Sequence, residues 1–204
     1  MAVPSYDDPM ALDDLHRHLV SSLRGIPQHG DHLGEPDALV TLTYWGDLQC
    51  EHCRDFTTGH LMELVHDEVQ RGILALRFRP LRTVTRDEGE FAVQHAASWA
   101  AGRQGRMWEF MEGFFLSQQE ANTGYVSDGF LRALAGEVPD LDLERWEHDR
   151  RAHPAELLAA SEHDARAAGV TGTPGLVLTH GGVALGPLAP SVNAVLDGID
   201  RLLD

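Results

Sequence analysis

The run Leu39-Val40-Thr41-Leu42-Thr43-Tyr44-Trp45 is rich in aliphatic, β-branched and aromatic side chains and predicts a buried strand. Past Cys53 the period changes: Phe56, Leu61, Leu64, Val65 and Val69 recur at helical spacings with no proline between them. A second strand is expected over residues 73–81, entered after Arg71-Gly72 at the helix end. Arg77 and Arg79 alternate with apolar residues there, giving that strand one polar and one buried face. Strand, helix, strand at this spacing makes a right-handed βαβ unit.

Residues 87–168 are helical in pattern almost throughout. Phe91, Ala92, His95, Ala96 and Trp99 fall on one face, and Met107, Phe110, Met111, Phe114 and Phe115 form a second apolar group. Ser127 caps the next segment, and Pro154 suits the first turn of the last one. Gly169-Val170-Thr171-Gly172-Thr173-Pro174-Gly175 then leads into a strand over residues 176–179. His180-Gly181-Gly182 reads as a tight turn into Val183-Ala184-Leu185, so these two strands form an antiparallel hairpin, and residues 190–203 make a final helix. Residues 1–36 are weakly patterned and read as an N-terminal extension with one amphipathic helix over residues 10–23.

Composition changes the picture in two ways. At 204 residues with 43% hydrophobic content the chain can bury a proper core, as one domain with an insertion or as two small ones. A formal net charge of −16 argues against nucleic acid and against an anionic membrane surface, since phosphate binding needs a basic face. No apolar run approaches the length of a membrane span, and residues 1–32 hold none of signal-peptide length. As written, the chain is therefore expected in the cytoplasm, or in the periplasm or another extracytoplasmic space if a signal has been removed. His16, His18, His29 and His32 invite a metal reading but show no fixed ligand spacing, and surface histidines are the simpler account.

The two cysteines stand together in Cys50-Glu51-His52-Cys53, too close to make a structural disulfide framework. A helix starting near Cys50 leaves unpaired N–H groups at its first turn, and its dipole favours negative charge there. Cys50 should therefore ionise readily, and the thiolate is the attacking species. Cys53 lies about one turn on along the same face, placed to resolve a mixed disulfide. Half of a zinc site and two merely structural small residues are the competing readings.

The run LVTLTYWGDLQCEHC, with the later GVTGTPGLVL, resembles the DsbA-like thiol–disulfide oxidoreductases of the thioredoxin-fold superfamily, from about Gly34 to the C-terminus. The resemblance implies an α/β, thioredoxin-like fold with an inserted all-helical domain: residues 37–86 and 169–204 as the thioredoxin-like domain, 87–168 as the insertion. It implies exchange of a Cys50–Cys53 dithiol/disulfide with protein or peptide thiols and disulfides, a separate redox recycling partner, and no bound cofactor or metal. It also implies that Pro174 is cis and sits against the cysteines, leaving the Thr173 backbone free to pair with substrate; a plain trans turn is the alternative. His52 matches a histidine of some oxidising members, and its imidazolium favours the thiolate. Glu51 departs from the proline common in the family, and its carboxylate opposes thiolate formation.

Several points stay open at this level. Asp47 is either a turn residue or a proton acceptor near Cys53. Trp99, Trp108, Phe110, Phe114 and Phe115 either line a peptide groove or, more simply, fill the core. Direction, oxidase or reductase, and oligomeric state are not legible. The alternatives from other classes are a non-catalytic thioredoxin-like interaction domain and a glutathione-dependent enzyme acting on small organic substrates, against which the CxxC counts.

Overall fold

The computed structural model describes residues 17–18, 21, 23–152 and 154–204. The helix expected over residues 10–23 falls largely outside them.

Strand β3 (Val40–Gly46) is the centre of the sheet. It pairs in parallel with β4 (Leu74–Pro80), from Val40 opposite Leu74 to Gly46 opposite Pro80, and antiparallel with β5 (Gly175–His180). Strand β6 (Val183–Leu185) closes one edge as the expected hairpin, its two-residue turn made by Gly181 and Gly182 at φ 55° and 82°. Two L side chains would be strained in that turn. The other edge was not foreseen. Residues 28–33, read above as part of a weakly patterned extension, supply β1 (Gln28–His29) and β2 (His32–Leu33), giving the sheet order β1-β2-β4-β3-β5-β6.

Side chains alternate across a strand, so successive residues of β3 serve opposite faces. Leu42 and Tyr44 join the main core, while Trp45 packs with Ala165, Val170 and Val177 on the other side. Helix α1, residues 51–69, crosses from β3 to β4. It opens as an α-helix over Glu51–Asp55, passes through π-helical segments at Phe56–Leu61 and Val65–Val69, and is α-helical between them at Met62–Leu64. Its apolar residues, Phe56, Leu61, Leu64, Val65 and Val69, are all buried as the spacing implied.

The helical block between β4 and β5 comprises α2 (Glu88–Gly102), α3 (Met107–Leu116), α4 (Asp128–Glu137), α5 (Leu143–Asp149) and α6 (Ala155–Ala167). Each of Asp87, Ser127 and Asp142 caps its helix by accepting from a first-turn N–H. Helix α7 (Val192–Leu203) ends the chain, capped by Ser191. The block shares one core with the sheet: Trp108, Phe110, Phe114, Phe115 and Trp146 belong to the same buried cluster as Leu42, Tyr44 and Phe78. Helix α6 lies on the Trp45 face, held by the Ser161 hydroxyl donating to the Pro80 carbonyl at 2.6 Å and by Arg79 paired with Asp164 at 2.7 Å. An α/β thioredoxin-like sheet with an inserted all-helical block is therefore what the chain builds.

Candidate active site

Cys50 is the N-cap of α1, with extended backbone at φ −79° and ψ 120°. Its carbonyl accepts from Arg54 N–H at 3.1 Å, and its own N–H closes a turn onto the Asp47 carbonyl at 3.0 Å. These bonds set Cys50 at the mouth of the helix, beside first-turn N–H groups that a helix cannot satisfy internally. Both thiols are free; Cys50 is 2% exposed and Cys53 fully buried.

The two sulfurs are driven apart in acidity. The Cys53 thiol, donating to Cys50, is the largest influence on Cys50; with Thr173 and the N–H groups of Cys53 and His52 it outweighs burial and lowers Cys50 to about 6. Burial pushes Cys53 well up, and the neighbouring Cys50 pushes it further. One nucleophile that is mostly thiolate at neutral pH thus stands beside one thiol that keeps its proton.

The Thr173–Pro174 peptide bond is cis, and the Thr173 carbonyl lies 3.5 Å from Cys50 Sγ. The loop predicted from the second motif therefore meets the first. The Thr173 hydroxyl in turn bonds that of Thr83, on the loop after β4. Glu51 and His52 are exposed on the first turn, and His52 reaches Cys50 through its backbone N–H. Two cavities flank the sulfur and share His52: one of about 660 Å³ lined by Cys50, Glu51, Arg86, Gln118 and Asn122, and one of about 330 Å³ lined by Thr171, Thr173, Pro174, Pro187 and Leu188.

Asp47 is the turn residue that opens the Asp47–Cys50 turn, and its carboxylate is not an available base. It is fully buried. Oδ1 accepts from Gln49 N–H at 3.1 Å and the Thr85 hydroxyl at 2.6 Å, and Oδ2 accepts from the N–H groups of Thr83, Val84 and Thr85 at 3.1, 2.9 and 2.9 Å. Burial, the largest influence, pushes its carboxyl up, but those donors together more than offset it and hold it below the usual carboxylate range. The carboxylate thereby staples the redox loop to the loop after β4.

The helical block adds a second staple that the sequence did not reveal. Gln118 Nε2 donates to the carbonyls of Leu48 and Cys50 at 2.8 and 3.2 Å. Asn122, at φ 64°, donates its N–H to Gln49 Oε1 at 2.8 Å and its side-chain amide to the Val84 carbonyl at 3.2 Å. Polar residues on a loop between helices carry no periodic signal, which is why they passed unnoticed. Of the two readings of the helix-spaced aromatics, core filling is the one the fold bears out. Trp108, Phe110, Phe114 and Phe115 are core residues, and Trp99 lines a separate cavity of about 520 Å³ with Gln28 and Arg103. Of the four N-terminal histidines, His16 lies outside the described residues, His18 pairs with Glu112 at 2.7 Å and His32 pairs with Asp31 at 2.7 Å.

A family model described as thioredoxin matches residues 28–187. A stretch of 144 residues is 31% identical to part of the Na(+)/H(+) antiporter NhaA 1 of Mycolicibacterium gilvum, covering 70% of this chain but only 22% of the antiporter's length. A probable disulfide bond formation protein D of Bacillus cereus is 22% identical over 173 residues, 84% of this chain and 77% of that protein. In three dimensions the chain superposes on Chlamydia trachomatis DsbA with a TM-score of 0.68 at 15% identity, covering 85% of this chain and 91% of the other. Among the described residues no helix is long and apolar enough to cross a membrane. A closely spaced cysteine pair in such a fold supports thiol–disulfide redox chemistry in general. The match over residues 28–187 covers well over half of the sequence, and the chain belongs to the thioredoxin family, as a thioredoxin-fold domain closely resembling the DsbA-like thiol–disulfide oxidoreductases.

Proposed function

We propose that the chain exchanges a Cys50–Cys53 dithiol/disulfide with cysteines of protein or peptide substrates. The observation that carries this reading is the placement of the pair, with Cys50 at a helix N-terminus against the cis Thr173–Pro174 loop and Cys53 buried one turn on. That setting lowers the pKa of Cys50 to about 6 and raises that of Cys53. In the reducing direction the Cys50 thiolate attacks a substrate disulfide and releases one substrate thiolate. Cys53 then attacks Cys50 Sγ, the Cys50–substrate bond breaks, and two electrons have passed to the substrate. In the oxidising direction the same bonds form and break in reverse order, and a partner must re-oxidise the pair. The half-buried Thr173–Pro174 segment beside Cys50 supports a role for both residues in aligning an extended substrate strand, with Glu51 and His52 at the mouth tuning the thiolate.

The test is exchange with a model disulfide. Cys50→Ser abolishes it, and Cys53→Ser accumulates a mixed disulfide on Cys50. Full activity of the Cys50→Ser protein would sink the proposal. The reduction potential gives the direction: about −120 to −180 mV marks an oxidant or isomerase, and about −270 mV a reductase.

A second reading has one observation behind it, the 31% match to a stretch of a protein named as an antiporter. On that reading the chain is a thioredoxin-like interaction domain whose thiols are catalytically idle. Its expectation is that both thiols stay inert towards alkylating reagents at neutral pH, whereas exchange chemistry requires rapid modification of Cys50.

A further inference from the structure

If an extended substrate lies along Thr173 and Pro174, the hold on that segment decides how well it is aligned. Both ends of the segment are fixed. The Val170 N–H donates to the Ala165 carbonyl at 2.9 Å and its side chain is buried with Trp45, while Gly175 opens β5 opposite Trp45. Between them lie Thr171, Gly172, Thr173 and Pro174, the first two exposed and the last two half-buried. A Cβ at Gly172 would meet nothing within 4 Å, so packing does not confine the backbone there, and glycine leaves it free to turn.

Among the described residues, two hydrogen bonds tie this stretch to the rest of the protein, and Thr173 makes both. Its carbonyl accepts from the Cys50 thiol at 3.5 Å, and its hydroxyl bonds that of Thr83. The two ties differ in what exchange does to them. In the Cys50 thiolate the proton is gone. In the mixed disulfide and in the Cys50–Cys53 disulfide, the charge that would draw a donor is gone as well. Once Cys50 is bonded to another sulfur, the Thr83 hydroxyl is the tie that remains.

Thr83 stands on a fixed post. Its N–H donates to Asp47 Oδ2 at 3.1 Å, those of Val84 and Thr85 donate to the same oxygen at 2.9 Å each, and Arg86 N–H donates to Asn122 Oδ1 at 2.7 Å. Asp47 also opens the turn that carries Cys50. One buried carboxylate thus fixes both the nucleophile and the residue that holds the segment facing it.

We propose that Thr83 is a positioning residue for substrate, its hydroxyl holding the Thr173–Pro174 segment against the redox loop through the stages in which Cys50 carries no proton. This rests on the exchange reading above and adds a residue to it. Thr83 takes no part in the transfer of electrons or protons; it acts through Thr173. Its side chain is exposed, so water competes for the hydroxyl and the effect is that of one ordinary hydrogen bond.

The test uses the oxidised full chain, in which the segment has the Thr83 tie alone. Second-order rates of disulfide reduction are measured with a cysteine-containing peptide and with 2-mercaptoethanol, which has no backbone to align. The readout is the ratio of the two rates, in which a general loss of reactivity cancels. Thr83→Val keeps the branched shape and the N–H to Asp47 but removes the hydroxyl. It should lower the ratio of peptide to small thiol roughly threefold to tenfold. Thr83→Ser keeps the hydroxyl and should restore the wild-type ratio. An unchanged ratio in Thr83→Val overturns the proposal, as does an equal fall in Thr83→Ser, which would trace the loss to shape rather than to the hydroxyl. If neither thiol reduces the wild type, the exchange reading falls, and this proposal with it. If both do and the ratios stay level across the variants, only the role of Thr83 falls.

Discussion

Cys50 and Cys53 lie one turn apart on the same helix, and their surroundings drive them in opposite directions. Cys50 stands at the helix mouth between two cavities, met by first-turn N–H groups and by the Thr173 loop. Cys53 points into the core that the sheet shares with the helical block. The difference shows that the helix terminus alone does not decide thiol reactivity. Two residues share one helix start, and what separates them is which side of it faces polar donors and which faces packed aromatic rings. The division is enforced by staples on the loops: Asp47 from below and Gln118 with Asn122 from the helical block.

Breaking the Asp47 staple should have the largest effect. Asp47→Asn keeps the volume but turns one oxygen into a donor that faces other donors, in a fully buried place. Loss of charge-assisted bonds and a new donor–donor conflict should cost about 3 kcal/mol, read as a lower urea midpoint at unchanged slope. The sign of the pH dependence follows from a carboxyl held below its ordinary range. The stabilisation is complete above the ordinary carboxylate value and is lost as pH falls through the folded one, so the wild type should lose its advantage over Asp47→Asn in acid. A variant within about 0.5 kcal/mol of wild type, the size of an ordinary surface change, would mean the staple is idle.

A smaller effect comes from the contrast between the thiols themselves. Cys50 is lowered from 9.0 to about 6, while the oxidised protein has no thiol to titrate. Between those values the unfolded dithiol chain binds more protons than the folded one, so the stability of the reduced form relative to the oxidised form should rise as pH climbs from 6 to 9. Allowing for solvent screening at the mouth, the rise is on the order of 1–2 kcal/mol. Cys53 adds nothing in this window, because its displacement is upward and acts only above it. Parallel melting of reduced and oxidised protein across that range checks the prediction, and flat curves would contradict the assigned acidity.

How far this contrast could be read from the chain depends on which part is asked. The β-branched, aliphatic and aromatic run over residues 39–45 and the helical spacing from Phe56 to Val69 announced a strand and a helix, because both are buried against a core and burial leaves its mark on residue type and period. The hairpin at residues 28–33 left no such trace: its strands are two residues long, and pairing with β4 rather than their own pattern makes them strands. The cysteines and Thr173-Pro174 were legible as motifs. Trp108, Phe110, Phe114 and Phe115 show the converse, for helix-spaced aromatics fill a core unless something makes a groove, and here they fill it.

The smallest effect concerns the residue that looked most disruptive. Glu51 puts a carboxylate directly after the nucleophile, and on charge alone it should oppose the thiolate. The groups that lower Cys50, in order, begin with the Cys53 thiol and include Thr173 and two backbone N–H groups, all close to the sulfur and set in the fold. The Glu51 side chain is exposed, where water and salt weaken its field. Glu51→Gln should therefore lower the pH midpoint of Cys50 alkylation by only a few tenths of a unit, and added salt should bring the two proteins together. A fall of about one unit or more, equivalent to roughly 1.4 kcal/mol, would mean that the exposed mouth rather than the buried contacts sets the acidity of Cys50. The comparison between the two thiols would then rest on Glu51 and His52, and replacing either would reset it.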